Sequence, residues 1–597
     1  MSASTPAEGE QGAALPLPTP FAASADAQPP QPWHEALDGA SSLLSPISSA
    51  AYGRSVSFTA KGSLLAHAGG GAAEEAATSG SSAVVGEARN LCRLALPLSV
   101  ANLTGYLIGT IALGIAGRLG QFELSAIILG TSIFNVTGLS LLMGFASAME
   151  TFCGQAVGAG NFRMVGIVFQ RAILLTTIVA VVVAMVWTQV ESILLVFRQD
   201  PLLSRAAARY IQMSIPALWC TGMYEVGKRY LMAQGIVRPA SAVTLVGLAL
   251  VPLYCWLFIF KLGLGLDGAA IAVDATQASM AALLGAYIMV RDGHQRGQAY
   301  ATWHGWSMEA LEGWVTYMRQ GHQPTHPYVV LIREFWLPFA LPSVVMVCVE
   351  WWTFEALIIM SGLLPDPGLT VAVMGICIQS SGLIWMFVSG FSMATSTRVS
   401  NSLGAGRPKA ARLVTWTGGA IGVGLELAFM AAVVLLRHHW AFLFTDAQPV
   451  IDLTASLLPV FALSLPGDGA NIVLQGLLRG SGRQETGAIT NLMSYWILGI
   501  PLAAYLAFKQ QLGLYGLWWG IVITNCFQGT VMVVIALRFN YRLEAAKAVA
   551  RSQAHHPPAG APGSDAGGDG GGDSSALREP LLGERLEQGL LAPSADA

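Results

Sequence analysis

Twelve long apolar stretches decide what this chain can become. They run at roughly 93–117, 124–150, 165–188, 207–232, 240–260, 267–290, 334–362, 369–394, 411–436, 450–478, 487–507 and 514–537. Each is close to the ~20 residues a helix needs to cross a bilayer. Backbone amides left unpaired in hydrocarbon are too costly, so such stretches are helices unless strands close into a barrel, and no alternating strand pattern is present. Composition agrees: 53% of the 597 residues are hydrophobic and 11% charged, against about 25% charged in soluble domains. The expected fold is all-α and integral to a membrane.

Several function classes drop out. A net charge of −3 without a basic stripe gives no case for nucleic acid as a partner. The seven cysteines form no CxxC pair and sit mostly in apolar runs, where they read as small hydrophobes. All ten histidines fall in tails, loops or span ends, and Pro324 between His322 and His326 spoils a helical metal pair. No phosphate-binding loop of the Walker type is present, so ATP is not the expected energy source. Neither a cofactor nor a metal is expected. Residues 1–88 lack the apolar core of a signal peptide; they and residues 541–597 read as disordered tails.

Basic residues set the orientation. One set of loops carries Arg163, Lys228, Arg229, Arg238, Arg291, Arg296, Arg319, Arg333, Arg398, Arg407, Lys409, Arg412, Arg479 and Arg483. The opposite set keeps only Arg118, Arg198, Arg205, Arg209, Lys261, Arg437 and Lys509. Both termini and the long connecting loop 291–333 are expected to be cytoplasmic.

The chain also repeats itself. "ALP" at 95–97 returns at 340–342, an offset of 245; "GFASAMETFCGQAVGAG" at 144–160 returns as "GFSMATSTRVSNSLGAG" at 390–406, an offset of 246; "LGLDG" at 264–268 returns as "LGLYG" at 512–516, an offset of 248. Three ordered matches with a slowly drifting offset indicate a six-helix unit duplicated in parallel, residues 89–290 and 334–540. Transporters are commonly built this way, with the pathway where the repeats meet.

Intramembrane acids mark ion or substrate paths. Glu350 lies well inside its span, where loss of solvation favours a neutral, proton-carrying carboxyl. Glu355 follows five residues later, about 140° round a helix of 3.6 residues per turn, and so does not share its face; it and Gln379 are further candidates to line a substrate cavity. Trp351 and Trp352 are candidates to contact a cation. Asp468, Asn471 and Gln475 form one polar stripe at i, i+3, i+7 spacing. Pro466, Gly467 and Gly469 weaken the helix there, and a broken helix in a transporter points to a binding site. The first span holds no acid, which places any cation site in the second half. Glu150 is expected to bond only its own following turn, and Arg398 and Asn401 to lie in an inner loop.

With these motifs assembled, the chain resembles the eukaryotic, plant- or algal-like branch of the multidrug and toxic compound extrusion (MATE) family over roughly residues 90–540. The resemblance rests on "GFASAMETFCGQAVGAG", "LPSVVMVCVEWWTFEALIIMSGLLPDP", "STRVSNSLGAGRPKAAR" and "LLRGSGRQETGAITN". It implies two six-helix lobes and antiport of an organic solute against protons, or less readily sodium. The family's two acidic positions fall on Glu350 and Asp468, the presumed coupling pair. Gln379 and Asn471 stand where the family usually has Asn and Gln, and Ser402 where it has Glu. The expectation is a monomeric exporter of a small organic solute, in a vacuolar or plasma membrane and surrounded by lipid. An ion-uncoupled channel or flippase-like pathway is the alternative, with a membrane-embedded enzyme third.

Overall fold

A computed structural model describes residues 80–197, 199–307 and 337–553, and among these every regular element is helical. Residues 1–79, 308–336 and 554–597, which include most of the expected tails and connecting loop, lie outside the described residues. Six spans form from α1 (Gly80–Ala116), α2 (Gln121–Gly158), α3 (Phe162–Trp187), the pair α4 (Pro201–Met213) and α5 (Ile215–Ala233), α6 (Arg238–Lys261) and α7 (Gly265–His294). Six more follow: α8 (Phe339–Ser361), α9 (Pro367–Gly404), α10 (Pro408–Leu443), α11 (Gln448–Ser481), α12 (Gln484–Lys509) and α13 (Gly513–Arg538). A last helix, α14 (Tyr541–Gln553), runs beyond the final span.

Eleven helices among the described residues are long and apolar enough to cross a membrane. The expected fourth span, 207–232, is instead split at Ser214. Pro216 has no N–H to continue the ladder, and the hydroxyl of Ser214 bonds back to the Tyr210 carbonyl at 3.0 Å. The N–H of Ala217, freed by the break, donates to Asp274 Oδ1 of α7 at 3.0 Å. A side chain thus replaces the missing helical acceptor.

The repeat is visible in how the halves touch. A Cβ on Gly144 would lie 2.5 Å from Val344 Cα, and one on Gly390 would lie 2.4 Å from the Ser99 backbone nitrogen. These two contacts are the same contact, exchanged between halves by the offsets of 246 and 245. Gly158 meets the Asn401 carbonyl, and Gly404 meets the Gln155 carbonyl, each with 2.1 Å for an added Cβ. Gly154 meets its own repeat partner, Ser400, at 1.8 Å. Reciprocal pairing of this kind is the signature of a two-fold interface, realised here inside one chain between α2 and α9, with α1 against α9 and α8 against α2 on either side. Both copies of the "GAG" turn end in a glycine with positive φ, +75° at Gly160 and +68° at Gly406, where another residue would be strained.

Four expectations change. Residues 80–88 are the start of α1, and Glu87 makes a two-pronged ion pair with Arg398. Arg398 and Asn401 belong to α9 rather than to a loop. Lys228 and Arg229 are not loop charges either: they lie buried in α5, paired with Glu225, and Arg229 also reaches Glu150 at 3.4 Å. The tail from 541 begins as α14, whose buried Glu544 accepts from Arg483 at 2.6 Å. The same helix reaches the first half through Arg551 to Gln155 Oε1 at 2.9 Å and through the Ser552 carbonyl to Asn161 at 3.2 Å.

The crossing of α2 and α9 leaves no room for a methyl group, so Gly158→Ala and Gly404→Ala should each destabilise the protein, by about 1–3 kcal/mol. Thermal melts of the detergent-purified variants check this. The two losses should match in size, whereas Gly114→Ala, where an added Cβ meets nothing within 4 Å, should leave the midpoint in place. Equal melts for all three proteins would disprove the close crossing.

Candidate functional site

Glu350 projects from α8 into the interior of the C-terminal half and is 5% exposed. Its Oε1 accepts from Trp385 Nε1 of α9 at 2.9 Å, and its Oε2 from Gln475 Nε2 of α11 and Asn491 Nδ2 of α12, both at 3.4 Å. Gln475 also donates to Asn471 Oδ1 at 2.9 Å, and Gln528 of α13 donates to Asn491 Oδ1 at 2.6 Å. Three helices, α9, α11 and α12, therefore donate to the one carboxyl that α8 carries, and α13 braces Asn491 behind it. Asn491 ends the regular first part of α12, and a π-helical stretch, Leu492–Gly499, follows it directly; such stretches are frequent at functional sites.

Asp468 sits on the same α11 stripe, nearly as buried, facing Asn471 and within the field of Glu350. The expected break at Pro466 is absent, for α11 runs unbroken from Gln448 to Ser481. The neighbouring glycines serve close packing instead. A Cβ on Gly467 would stand 2.7 Å from the Asn525 carbonyl carbon, and one on Gly469 would stand 2.5 Å from Glu426 Cγ. Helices pressed this closely can shield a backbone bond lost to proline.

The other sequence candidates divide. Trp351 packs edge-on against Trp385, with ring centroids 6.2 Å apart, and so supports the donor to Glu350. Trp352 instead donates to the Val136 carbonyl of α2 at 3.2 Å, which makes it a seam residue between the halves. Glu355 faces Ser132 of α2, away from the network, as its helical angle requires. Gln379 accepts from the Tyr106 hydroxyl across the α1–α9 seam. Glu350, Asn471 and Gln475 are thus brought together with Asp468 beside them; Trp352, Glu355 and Gln379 are not.

Sequence reasoning passed over Trp385, Asn491 and Gln528. The signal available was amide side chains inside apolar spans, which need partners as surely as acids do. It also passed over the first half's buried cluster. Glu225 pairs with Lys228 at 2.6 Å and with Arg229, and Lys228 Nζ donates to Asn102 Oδ1 at 3.3 Å. Asn102 in turn donates to Ser389 of α9 at 2.9 Å. Two acids, Glu150 and Glu225, here face two bases. The second half is not balanced: among the described residues, Glu350, Asp468 and the buried Glu426 share its interior with one guanidinium, that of Arg479, whose field reaches Glu350. Such a surplus of negative charge suits a site that binds and releases positive charge.

Comparison with known proteins matches this arrangement. The family model MatE covers residues 97–257 and 342–505, one block in each half. Protein DETOXIFICATION 16 of Arabidopsis thaliana is 35% identical over 79% of this chain and 92% of its own length. Multidrug and toxin extrusion protein 1 of Homo sapiens is 34% identical over 79% of this chain and 77% of its own. Among solved structures, the crystal structure of the eukaryotic MATE transporter AtDTX14 superposes with a TM-score of 0.70 at 31% identity, covering 79% of this chain and all of that one, 100%. An outward-facing multidrug resistance MATE transporter of the MOP superfamily shares the fold at 19% identity, TM-score 0.63, covering 80% of this chain and 99% of its own. Its duplicated helices, its acid-lined second half and these relatives together place the chain in the MatE family of multidrug and toxin extrusion transporters, as a multi-pass membrane transporter and not an enzyme.

Proposed function

We propose that this transporter is a secondary active antiporter that exports organic cations, xenobiotics or secondary metabolites, from the cytosol in exchange for protons. The observation that carries the reading is the unbalanced interior of the second half, centred on Glu350. Ionised, the acids there attract a cationic solute; protonated, they release it, and the difference in binding biases one arrangement of the two halves over the other. The partners of Glu350 support proton over sodium coupling. Its oxygens are met by N–H donors from Trp385, Gln475 and Asn491, whereas a hard metal cation needs converging oxygen ligands. Glu350 and Asp468 are the coupling acids, and Asn471 and Gln475 line the solute path. The protein works as a monomer in a vacuolar or plasma membrane.

The basic residues that remain in loops, Arg296, Arg407 and Arg483 among them, favour one side even without Lys228 and Arg229. Both termini are then cytoplasmic. A protease site placed at residues 310–330 should be cut from the cytosolic side only, and cutting from the far side would overturn this orientation.

In proteoliposomes an imposed proton gradient should drive uptake of organic cations without ATP, and a sodium gradient should not. Solute flux indifferent to both gradients would favour a channel or flippase-like pathway. Within such an assay Glu350→Gln keeps shape but removes titration, so exchange should lose its pH dependence and fall at least ~10-fold, while the protein stays folded because no buried charge is stranded. Asp468→Asn should behave similarly if the two acids act as one coupled site, and Glu355→Gln should keep most of the activity. Wild-type pH dependence in well-folded Glu350→Gln protein would reduce this residue to a packing role.

A further inference from the structure

The last four carbonyls of a helix have no partner inside it. In α11, the helix that carries Asp468, Asn471 and Gln475, they end in the seam between the halves. Its own chain meets the first of them: Gly482, with φ +85°, turns so that its N–H and that of Arg483 reach the Leu478 carbonyl at 3.1 and 2.8 Å. The next two are met from the other half. The Thr151 hydroxyl of α2 donates to the Arg479 carbonyl, and Gln155 Nε2 donates to the Gly480 carbonyl at 3.2 Å. Arg551 of α14 reaches the fourth, that of Ser481, at 3.4 Å. Within its own half, among the described residues, the Arg479 carbonyl keeps two long contacts of 3.4 Å each, to the Gly482 N–H and Gln484 Nε2. Thr151, Gln155, Gly480 and Ser481 are all buried.

The arrangement is one-sided. Thr397, which the offset of 246 makes the counterpart of Thr151, bonds the Met393 carbonyl of its own helix at 2.9 Å. Asn401, the counterpart of Gln155 and one methylene shorter, comes to the Ala233 carbonyl at 3.4 Å. The acid-bearing helix is thus finished by the opposite half more firmly than it repays. Its capped end also lies close to the site. Gln475 donates to Glu350, and Arg479 follows one turn later, about 6 Å along the axis, where it bonds Ser392 of α9 at 2.7 Å. Parting of the halves takes Thr151 and Gln155 away, and a helix end stripped of its donors frays.

We propose that Thr151 and Gln155 are positioning residues for the acid site: they cap α11 from the other half, so that Arg479 and Gln475 are held in register only while the halves meet at the α2–α9 crossing. Order and disorder of this one turn then make the solute path differ between the two arrangements. The role rests on the two-arrangement cycle proposed for the antiporter, and its test separates the two.

Hydrogen exchange of the purified protein reads the cap directly, because it follows the population of the opened turn. Thr151→Val keeps the shape and removes the donor. Amides 479–483 should then exchange about 5-fold faster, as one lost bond allows, and Thr151→Ser should keep the wild-type rate. Gln155→Met should act like Thr151→Val and replaces it if that protein fails to fold. In proteoliposomes the half-saturating concentration of a quaternary ammonium cation should rise by a similar factor in both variants and not in Thr151→Ser. Unchanged exchange at 479–483 in the folded variants overturns the cap. Faster exchange with unchanged half-saturation leaves a mere fastening and overturns the positioning role. Transport indifferent to proton and sodium gradients would instead remove the antiport reading, while the exchange rates still decide whether the first half caps α11.

Discussion

Everything in this molecule hangs on a backbone-to-backbone crossing between two copies of one motif. Because Gly158 and Gly404 meet the carbonyls of Asn401 and Gln155 reciprocally, α2 and α9 approach as closely as helices can. In a bilayer there is little hydrophobic force to hold helices together, so close van der Waals packing has to supply the attraction, and small residues make it available. The crossing brings α8 onto α2 and α1 onto α9. That places Glu350 of α8 next to Trp385 of α9 and in reach of α11 and α12.

Duplication made the scaffold symmetric, but the charges are not. The first half pairs Glu150 and Glu225 with Lys228 and Arg229. Balanced in this way, buried ions are locked, because removing either sign strands the other. Through Asn102 and Ser389 this cluster also fastens α1 to α9. The second half leaves its acids short of cations and surrounds Glu350 with neutral donors, which accommodate either protonation state. One repeat thus became an anchor and the other a site.

The spans, their number and the repeat were legible because hydrocarbon imposes them on sequence directly. What sequence could not show is how individual breakers resolve. Pro216 splits its span and Pro466 does not, although both are prolines among apolar residues. The difference lies elsewhere in the chain: Asp274 catches the N–H released at Ala217, whereas around Pro466 the glycines draw α10 and α13 tightly against α11. Glu350, Asn471 and Gln475 could be read from burial and stripe spacing. Asn491 and Gln528 were not, since an amide in an apolar run looks the same whether it bonds an acid or a carbonyl. The pairing of Glu225 with Lys228 and Arg229 is readable, since i+3 and i+4 neighbours meet on a helix, but in sequence a basic residue near a span end looks the same as a loop charge.

The proposed antiport requires the two halves to separate where they touch, and the contacts there set what that motion must undo. The glycine crossing consists of many weak contacts that are lost together, so it behaves as two discrete states rather than a continuous hinge. α14 adds a polar strap across it. Arg551 bonds Gln155 of the first half and the Ser481 carbonyl of the second, while Glu544 holds Arg483. Gln155, Ser481 and Glu544 are all buried, so this strap has to open before the two halves can part. The acids of the second half are placed differently: their partners lie within that half and move with it. Under the proposed antiport, protons change the charge of the site without loosening the strap. Only the binding difference between the two arrangements then couples the site to the crossing.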